Sequence, residues 1–317
     1  MVECLMSWRG FAARVLQWTP FPLHPISGIS MTIKAAFIGL GAMGAPMAGH
    51  LKDKGLLHAV SNRTHAKAQA LAEQLGVVAP ASLAELAAQC DVIALCVTAD
   101  ADVLGTIDGL IPGLKPGAIV IDHSTVSPDT AKKAAAKLRE VGAHFIDAPV
   151  SGGVEGAKNG KLSVMVGGDD ADLERARPVL EAYALRVTHL GDIGAGQATK
   201  AVNQVVVAGI AQAVCEGLAL GEALGLDPER LIPTLGAGAA GNWFLEKRGA
   251  TMLRNEFSVG FKLALLHKDL EIVRGIAEQA GTSRNVIERS LADYAQLMSQ
   301  GYGDDDISGL IRLKRKN

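Results

Sequence analysis

Three short segments of this chain carry residue types and spacings that could do chemistry together. The first is Gly39-Leu40-Gly41-Ala42-Met43-Gly44, a GxGxxG run between an apolar stretch and a helical pattern. In that context Gly39 permits a tight turn and Gly41 lets the backbone approach a pyrophosphate. Gly44 lets helix and strand pack closely, and the helix N-terminus faces the phosphates. The second segment is Lys200, followed at three and four residues by Asn203 and Gln204 on the same helix face. A lysine there can protonate a developing alkoxide, or take the proton back in the reverse reaction. Burial and the positive helix N-terminus should both lower its pKa towards the working range. The third is Ser151-Gly152-Gly153, whose paired glycines expose backbone N–H groups able to hold a carboxylate. Hydride transfer needs a bound nicotinamide, a dry site and an acid, and these segments supply candidates. On spacing alone, Lys200 is equally a solvated charge at a helix start, and the competing reading of 151–153 is a plain loop.

About 20 residues beyond such a glycine run, an NAD-binding chain places Asp or Glu for the ribose 2′-OH. Here the second strand ends in Asn62-Arg63-Thr64. No carboxylate stands there to repel a 2′-phosphate. Arg63 can donate to that phosphate and stack on adenine, and Asn62 and Thr64 add donors. NADP is therefore favoured, with NAD possible. The competing reading of Arg63 is a solvated surface charge.

These residues need elements to hold them. Apolar runs at 34–38, 58–61, 91–97, 118–122 and 143–148 read as strands, and 163–166 and 186–190 as extensions of the same sheet. Between them lie Ala-rich helical stretches; Ser82 reads as an N-cap, with Glu85 completing a capping box. Continuous apolar strands alternating with helices predict an α/β Rossmann-type, doubly wound parallel sheet. After Gly194 the pattern becomes all-helical, with helices at 197–224, 261–281 and 283–299 and an N-cap at Asp227 before Pro228. The expected division is an extension at 1–31, a cofactor domain at 32–193 and an all-α domain at 194–317. Ser124-Thr125, at a strand end, could reach the nicotinamide ribose.

With 317 residues, 49% hydrophobic and 20% charged, the chain can bury a sizeable core. The net charge of −2 provides no global field for nucleic acid. The basic tail with Arg312, Lys314, Arg315 and Lys316 follows Asp304, Asp305 and Asp306, as in a terminal helix complementing its own dipole. Cys4, Cys90, Cys96 and Cys215 form no CxxC pair, so no metal site is expected and a reducing, cytoplasmic setting is. His123 has no partners for nucleophilic catalysis or metal binding. Residues 1–30 contain Arg9 and Arg14 and read as an upstream extension, the rival being an organelle-targeting segment. The apolar 201–226 stretch includes Asn203, Gln204, Gln212, Glu216 and Glu222, which points to a buried helix and not a membrane span. Its apolarity also suggests a subunit interface, hence a homodimer or homotetramer.

Four ordered motifs give the chain a family resemblance. Residues 37–47, Phe-Ile-Gly-Leu-Gly-Ala-Met-Gly-Ala-Pro-Met, resemble the N-terminal signature of the β-hydroxyacid dehydrogenases, which include 3-hydroxyisobutyrate dehydrogenase and tartronate semialdehyde reductase. Asp147-Ala-Pro-Val-Ser-Gly-Gly153 is similar to that family's substrate motif, Gly194-Ala-Gly-Gln-Ala-Thr-Lys200-Ala-Val-Asn203 to its catalytic motif, and Lys268-Asp269-Leu270 to its C-terminal motif. The resemblance implies that Lys200 is catalytic with Asn203 orienting substrate, and that Ser151, Gly152 and Gly153 contact substrate. It also implies that Thr125 and Lys268 lie at the nicotinamide end. Val97, past the third strand, joins the expected cofactor contacts. Without the resemblance, Lys268 reads as an i,i+3 surface partner of Glu271. The implied reaction interconverts a small 3-hydroxy acid and its semialdehyde. Alternatives are a succinic semialdehyde or glyoxylate reductase, or a non-catalytic NADP-binding module. Related imine reductases replace the lysine, and 6-phosphogluconate dehydrogenases have a longer helical half.

Overall fold

A computed structural model of the chain describes residues 33–315. The expected extension at 1–31 and the last tail lysine, Lys316, lie outside the described residues. Five parallel strands form the main sheet: β1 (Ala35–Ile38), β2 (Leu57–Ser61), β3 (Val92–Leu95), β4 (Ile119–Asp122) and β5 (His144–Asp147), ordered β2-β1-β3-β4-β5. Helices α1 (Gly44–Asp53), α2 (His65–Leu75), α3 (Leu83–Gln89), α4 (Asp100–Leu110) and α5 (Pro128–Glu140) make the crossovers. Ser82 caps α3 as expected, accepting from the Glu85 N–H at 3.2 Å, while the Glu85 carboxylate reaches back one residue further, to the Ala81 N–H.

The strands are apolar along most of their length, with polar residues only at β2 His58 and at strand ends, because the sheet is covered on both faces. Phe37, Ala94, Ile121 and Ile146 pack one way, against Met47 and Leu51 of α1. Ile38, Ile93, Val120 and Phe145 pack the other way, against Leu86 of α3, Ile107 of α4 and Leu138 of α5.

The last strands depart from expectation. Chain segments β6 (Val150–Ser151), β7 (Leu162–Val166) and β8 (Ala184–His189) form a separate three-stranded sheet, with α6 (Gly153–Lys158) and α7 (Asp170–Leu180) between them. β7 runs antiparallel to β6, and Asp147 at the end of β5 pairs with Gly167 in the same register. The chain therefore runs on from β5 into β6, reverses through α6, and leaves β7 unable to extend the parallel ladder. The Asp147–Gly167 bridge ties the two sheets.

Beyond Gly194 the chain is helical: α8 (Ala195–Ala223), α9 (Pro228–Gly236), α10 (Trp243–Leu253), α11 (Leu263–Gln279) and α12 (Asn285–Ser299), then a 3₁₀ turn at Ile307–Leu313. Leu266, Leu270 and Val273 of α11 pack with Cys215 and Leu218 of α8 and Tyr294 and Leu297 of α12. The 3₁₀ turn is capped by Asp306, and the tail cations are used internally: Lys314 pairs with Asp293 and Arg315 with Glu222. Helix α8 is long and apolar enough to cross a membrane by length and composition. One face carries Gln197, Lys200 and Gln204 into the interior; the opposite face leaves Val202, Val206 and Leu220 exposed, so the helix is not buried all round. The described residues, 33–315, form one compact unit.

Candidate active site

The strand order reverses between β1 and β3, and doubly wound sheets bind ligands in the crevice at such a point. The glycine turn lies there. Gly39 has φ +90°, and a Cβ on it would sit 2.2 Å from the Cys96 carbonyl oxygen, so the ends of β1 and β3 meet too closely for a side chain. A Cβ on Gly44 would lie 1.9 Å from the Gly39 oxygen and 2.8 Å from the Phe37 ring, which is the close packing of helix on strand. Gly41 is different: no atom lies within 4 Å of its Cβ position. Packing inside the protein therefore does not require a glycine at 41, whereas a ligand lying against this backbone would. Helix α1 starts at Gly44 with no side-chain cap and no acidic residue in its first turn, leaving N–H groups for an anion. These features fit a dinucleotide pyrophosphate. Leu40 is buried in the core, while Ala42 is exposed and Met43 half-buried.

The end of β2 also supports the glycine turn. The Asn62 carboxamide accepts from the Leu40 N–H at 3.0 Å and donates to the Thr64 carbonyl at 3.3 Å. It braces the glycine turn, with only one amide hydrogen left to donate elsewhere. Thr64 is the residue before α2, and its hydroxyl makes no capping bond. Arg63 is 88% exposed and meets Asp102 at 3.8 Å.

At the other end of the crevice, one residue organises the loop after β4. Gln197 donates to the Ser124 carbonyl at 2.8 Å and accepts from the Val126 N–H at 3.1 Å. Ser124 in turn accepts from the Val97 N–H at 2.9 Å, and Lys268 donates to the Thr125 carbonyl at 2.6 Å. Val97, Thr125 and Lys268 are thus brought together, with Thr125 presented between α8 and α11. Asp122 accepts from the Ser124 N–H at 2.8 Å, and its second oxygen has no partner. Burial, reinforced by nearby Asp147, raises its pKa to about 7.

Lys200 projects from α8 into the protein, only 7% exposed, and donates to the Val150 carbonyl at 2.9 Å. Desolvation lowers its pKa from 10.5 to about 8; Asp269 opposes the fall and Lys268 adds to it. The expected push from the helix N-terminus is offset, because Asp147 occupies that terminus. Its carboxylate accepts from the Gly194 N–H at 2.7 Å and the Gln197 N–H at 2.9 Å. A negative cap cancels the positive end of the helix, which leaves burial as the main cause.

A chain of hydrogen bonds sets the direction of the polar groups around Lys200. Asp269, paired with Lys268 at 2.8 Å, accepts from Gln204 Nε2 at 2.6 Å. A carboxylate only accepts, so Gln204 must turn its Oε1 to Asn203 Nδ2, at 2.8 Å. Asn203 Oδ1 then faces the Ser151 hydroxyl at 3.5 Å, at the limit of a hydrogen bond. Gly152 and Gly153 have φ +130° and +61°, conformations that favour glycine, and they turn the chain from β6 into α6 beside the Lys200 face.

Comparisons with known proteins bear on this geometry. The family model for the NAD-binding domain of 6-phosphogluconate dehydrogenase matches residues 34–191, and that for NAD-binding of NADP-dependent 3-hydroxyisobutyrate dehydrogenase matches 194–314. An uncharacterized oxidoreductase of Shewanella frigidimarina is 40% identical over 287 residues, 89% of this chain and 98% of the relative. The NAD-dependent L-serine dehydrogenase of Pseudomonas aeruginosa is 36% identical, over 88% of this chain and 96% of its own. The solved structure of Mycobacterium tuberculosis 3-hydroxyisobutyrate dehydrogenase with L-serine superposes with TM-score 0.82 at 32% identity, covering 90% of this chain and all of that one. The chain belongs to the β-hydroxyacid dehydrogenase family. It is an NAD(P)-dependent oxidoreductase of α/β Rossmann type with an all-α C-terminal part.

For this family member, sequence reasoning passed over Asp147 and Gln197 as individual actors, although both stand inside the motifs. A signal was present in the glycines. A Cβ on Gly167 would lie 2.6 Å from an Asp147 carboxylate oxygen, and one on Gly196 2.4 Å from the Met165 carbonyl oxygen and 2.9 Å from the other Asp147 carboxylate oxygen, so neither position has room for a side chain beside that group. His123 is structural: buried, held neutral with its pKa near 4, it lies 2.7 Å from the Ala148 carbonyl and 2.8 Å from the Tyr183 hydroxyl. The carbonyl can only accept, so Nδ1 donates to it and Nε2 accepts from the tyrosine.

Proposed function

We propose that this dehydrogenase interconverts a small 3-hydroxy acid, 3-hydroxyisobutyrate-like, and its semialdehyde, with NADP preferred. The observation that carries the reading is Lys200: an ammonium buried beside the 151–153 turn, with a pKa of about 8. A group at that pKa exchanges a proton near neutral pH, as an acid in reduction and a base in oxidation. The bound nicotinamide supplies or accepts the hydride. Lys200 gives the substrate oxygen its proton or removes it. Asn203 retains one N–H beyond its bond to Gln204 and orients that oxygen. The backbone N–H groups of Gly152 and Gly153, with Ser151, hold the carboxylate. Asp147, Gln197 and Asp269 position these groups.

The relatives' names support the class: one acts on L-serine, itself a 3-hydroxy acid, and another is a 3-hydroxyisobutyrate dehydrogenase. The test is initial rates by nicotinamide absorbance, with NADPH and NADH against methylmalonate, tartronate and succinate semialdehydes and glyoxylate, and Lys200→Ala as control. NADPH-dependent turnover lost in the variant is expected. Cofactor binding without turnover on any of these aldehydes would overturn the reading.

The exposed face of α8 also suggests its partner. Val202, Val206 and Leu220 are 65%, 55% and 60% exposed along one stripe, too apolar to face water. We infer a homodimer or homotetramer joined through this face, acting in the cytoplasm. Light scattering on a Val206→Glu variant tests the assembly, with dissociation expected.

A further inference from the structure

We propose that Asp102 sets how strongly this enzyme prefers NADP over NAD, by competing with the cofactor's 2′-phosphate for Arg63. The proposal rests on the reading of Arg63 as the 2′-phosphate donor. β1 lies between β2 and β3 in the sheet, so the residues after β2 and β3 flank the glycine turn. Arg63 follows β2, and Asp102 stands in the first turn of α4, after β3. Their 3.8 Å ion pair therefore spans the crevice edge beside the Gly39–Gly44 turn.

The acid beside it is committed elsewhere. Asp100 accepts from the Ser127 N–H at 3.0 Å and from the Thr130 hydroxyl at 2.6 Å, locking α4 to α5. The Asp102 carboxylate, 36% exposed, has among the described residues only Arg63 as a charged partner, and Arg63 only Asp102.

Nicotinamide cofactors without a 2′-phosphate are ordinarily met at this edge by a carboxylate at the end of β2. Asn62 and Arg63 replace it here, but Asp102 brings a carboxylate back from the neighbouring strand end. With NAD, the pair can stay intact and Asp102 can accept from a ribose hydroxyl. With NADP, Arg63 has to leave Asp102 for the phosphate, and the freed carboxylate repels the phosphate dianion. Asp102 therefore narrows the preference that Arg63 creates, which favours use of both cofactors.

The test is calorimetric binding of NADPH, NADH and adenosine 2′,5′-bisphosphate to the wild type, Asp102→Asn, Arg63→Ala and the double variant. Arg63 is exposed, and Asp102 is half-buried with no other charged partner among the described residues, so folding is not at stake. Asp102→Asn should tighten NADPH and the bisphosphate about five-fold, the upper range for an exposed ion pair. NADH should change less than about two-fold, and the NADPH gain should shrink at high salt. The gain should be smaller in the Arg63→Ala background, where there is no guanidinium to compete for. Equal shifts for both cofactors, or no shift, would overturn the proposal while Arg63→Ala still weakened NADPH selectively. If Arg63→Ala left the NADPH-to-NADH ratio unchanged, the Arg63 reading itself would fail.

Discussion

Replacing Lys200 by Met should make the protein more stable and nearly inactive. Burial lowers the Lys200 pKa from 10.5 to about 8. At about 1.36 kcal/mol per pKa unit, the folded state carries roughly 3 kcal/mol of unfavourable ammonium burial. The variant also loses the bond to the Val150 carbonyl, worth about 1 kcal/mol net. Methionine is of similar length and suits the apolar part of the site. A gain of about 1–2 kcal/mol remains, which raises Tm by roughly 2–6 °C in a domain of this size. The sign has a pH window. Below about 8 the lysine is charged in both folded and unfolded chains, and the full cost stands. Between about 8 and 10.5 the folded chain alone releases the proton, so the wild type gains stability as pH rises. The advantage of the variant should therefore be largest near neutrality and vanish towards 10.5. Turnover should fall by about 10²–10⁴. Calorimetric melts at several pH values with parallel rate assays decide the matter. A lower Tm for the variant near neutral pH, or turnover within about ten-fold of wild type, would refute the reasoning.

Other expectations follow from the same contacts. Gly44→Ala puts a methyl group 1.9 Å from the Gly39 oxygen; a loss of about 1–3 kcal/mol in melts and weaker NADPH binding in titrations should appear together. Gln197→Leu removes both bonds to the loop after β4, so the cofactor KM should rise several-fold, with a thermal loss of about 2 kcal/mol. Asp122 keeps its proton up to about 7 when folded but only to 3.8 unfolded. Wild-type stability should therefore fall as pH rises between those values. Asp122→Asn, which preserves the bond to Ser124, should be more stable than wild type above about 7 and equal to it below about 4, as read from urea midpoints across pH.

Much of the cofactor half was legible because its signals are local. The glycine turn, the apolar strands and the caps at Ser82 and Asp227 each depend on a few neighbouring residues. The second sheet was not legible, because β7 looks like any short apolar strand until the reversal between β6 and β7 is known. In the site, Lys200 could be singled out by position, but its anchor, the Val150 carbonyl, is a backbone group with no sequence signature. Asp147 and Gln197 act across 47 to 73 residues of separation, on partners that the fold alone brings within reach. For the same reason the sequence assigned the Lys200 shift partly to the helix N-terminus, which Asp147 occupies.

The central claim is that Lys200 carries the proton in both directions. The most direct measurement is the pH dependence of kcat for 3-hydroxyisobutyrate oxidation and methylmalonate semialdehyde reduction by the same enzyme with NADP(H). Oxidation should rise and reduction should fall through one shared inflection near 8, because the first needs the free amine and the second the ammonium. Profiles that stay flat across this range, or that move in the same direction, would contradict the account.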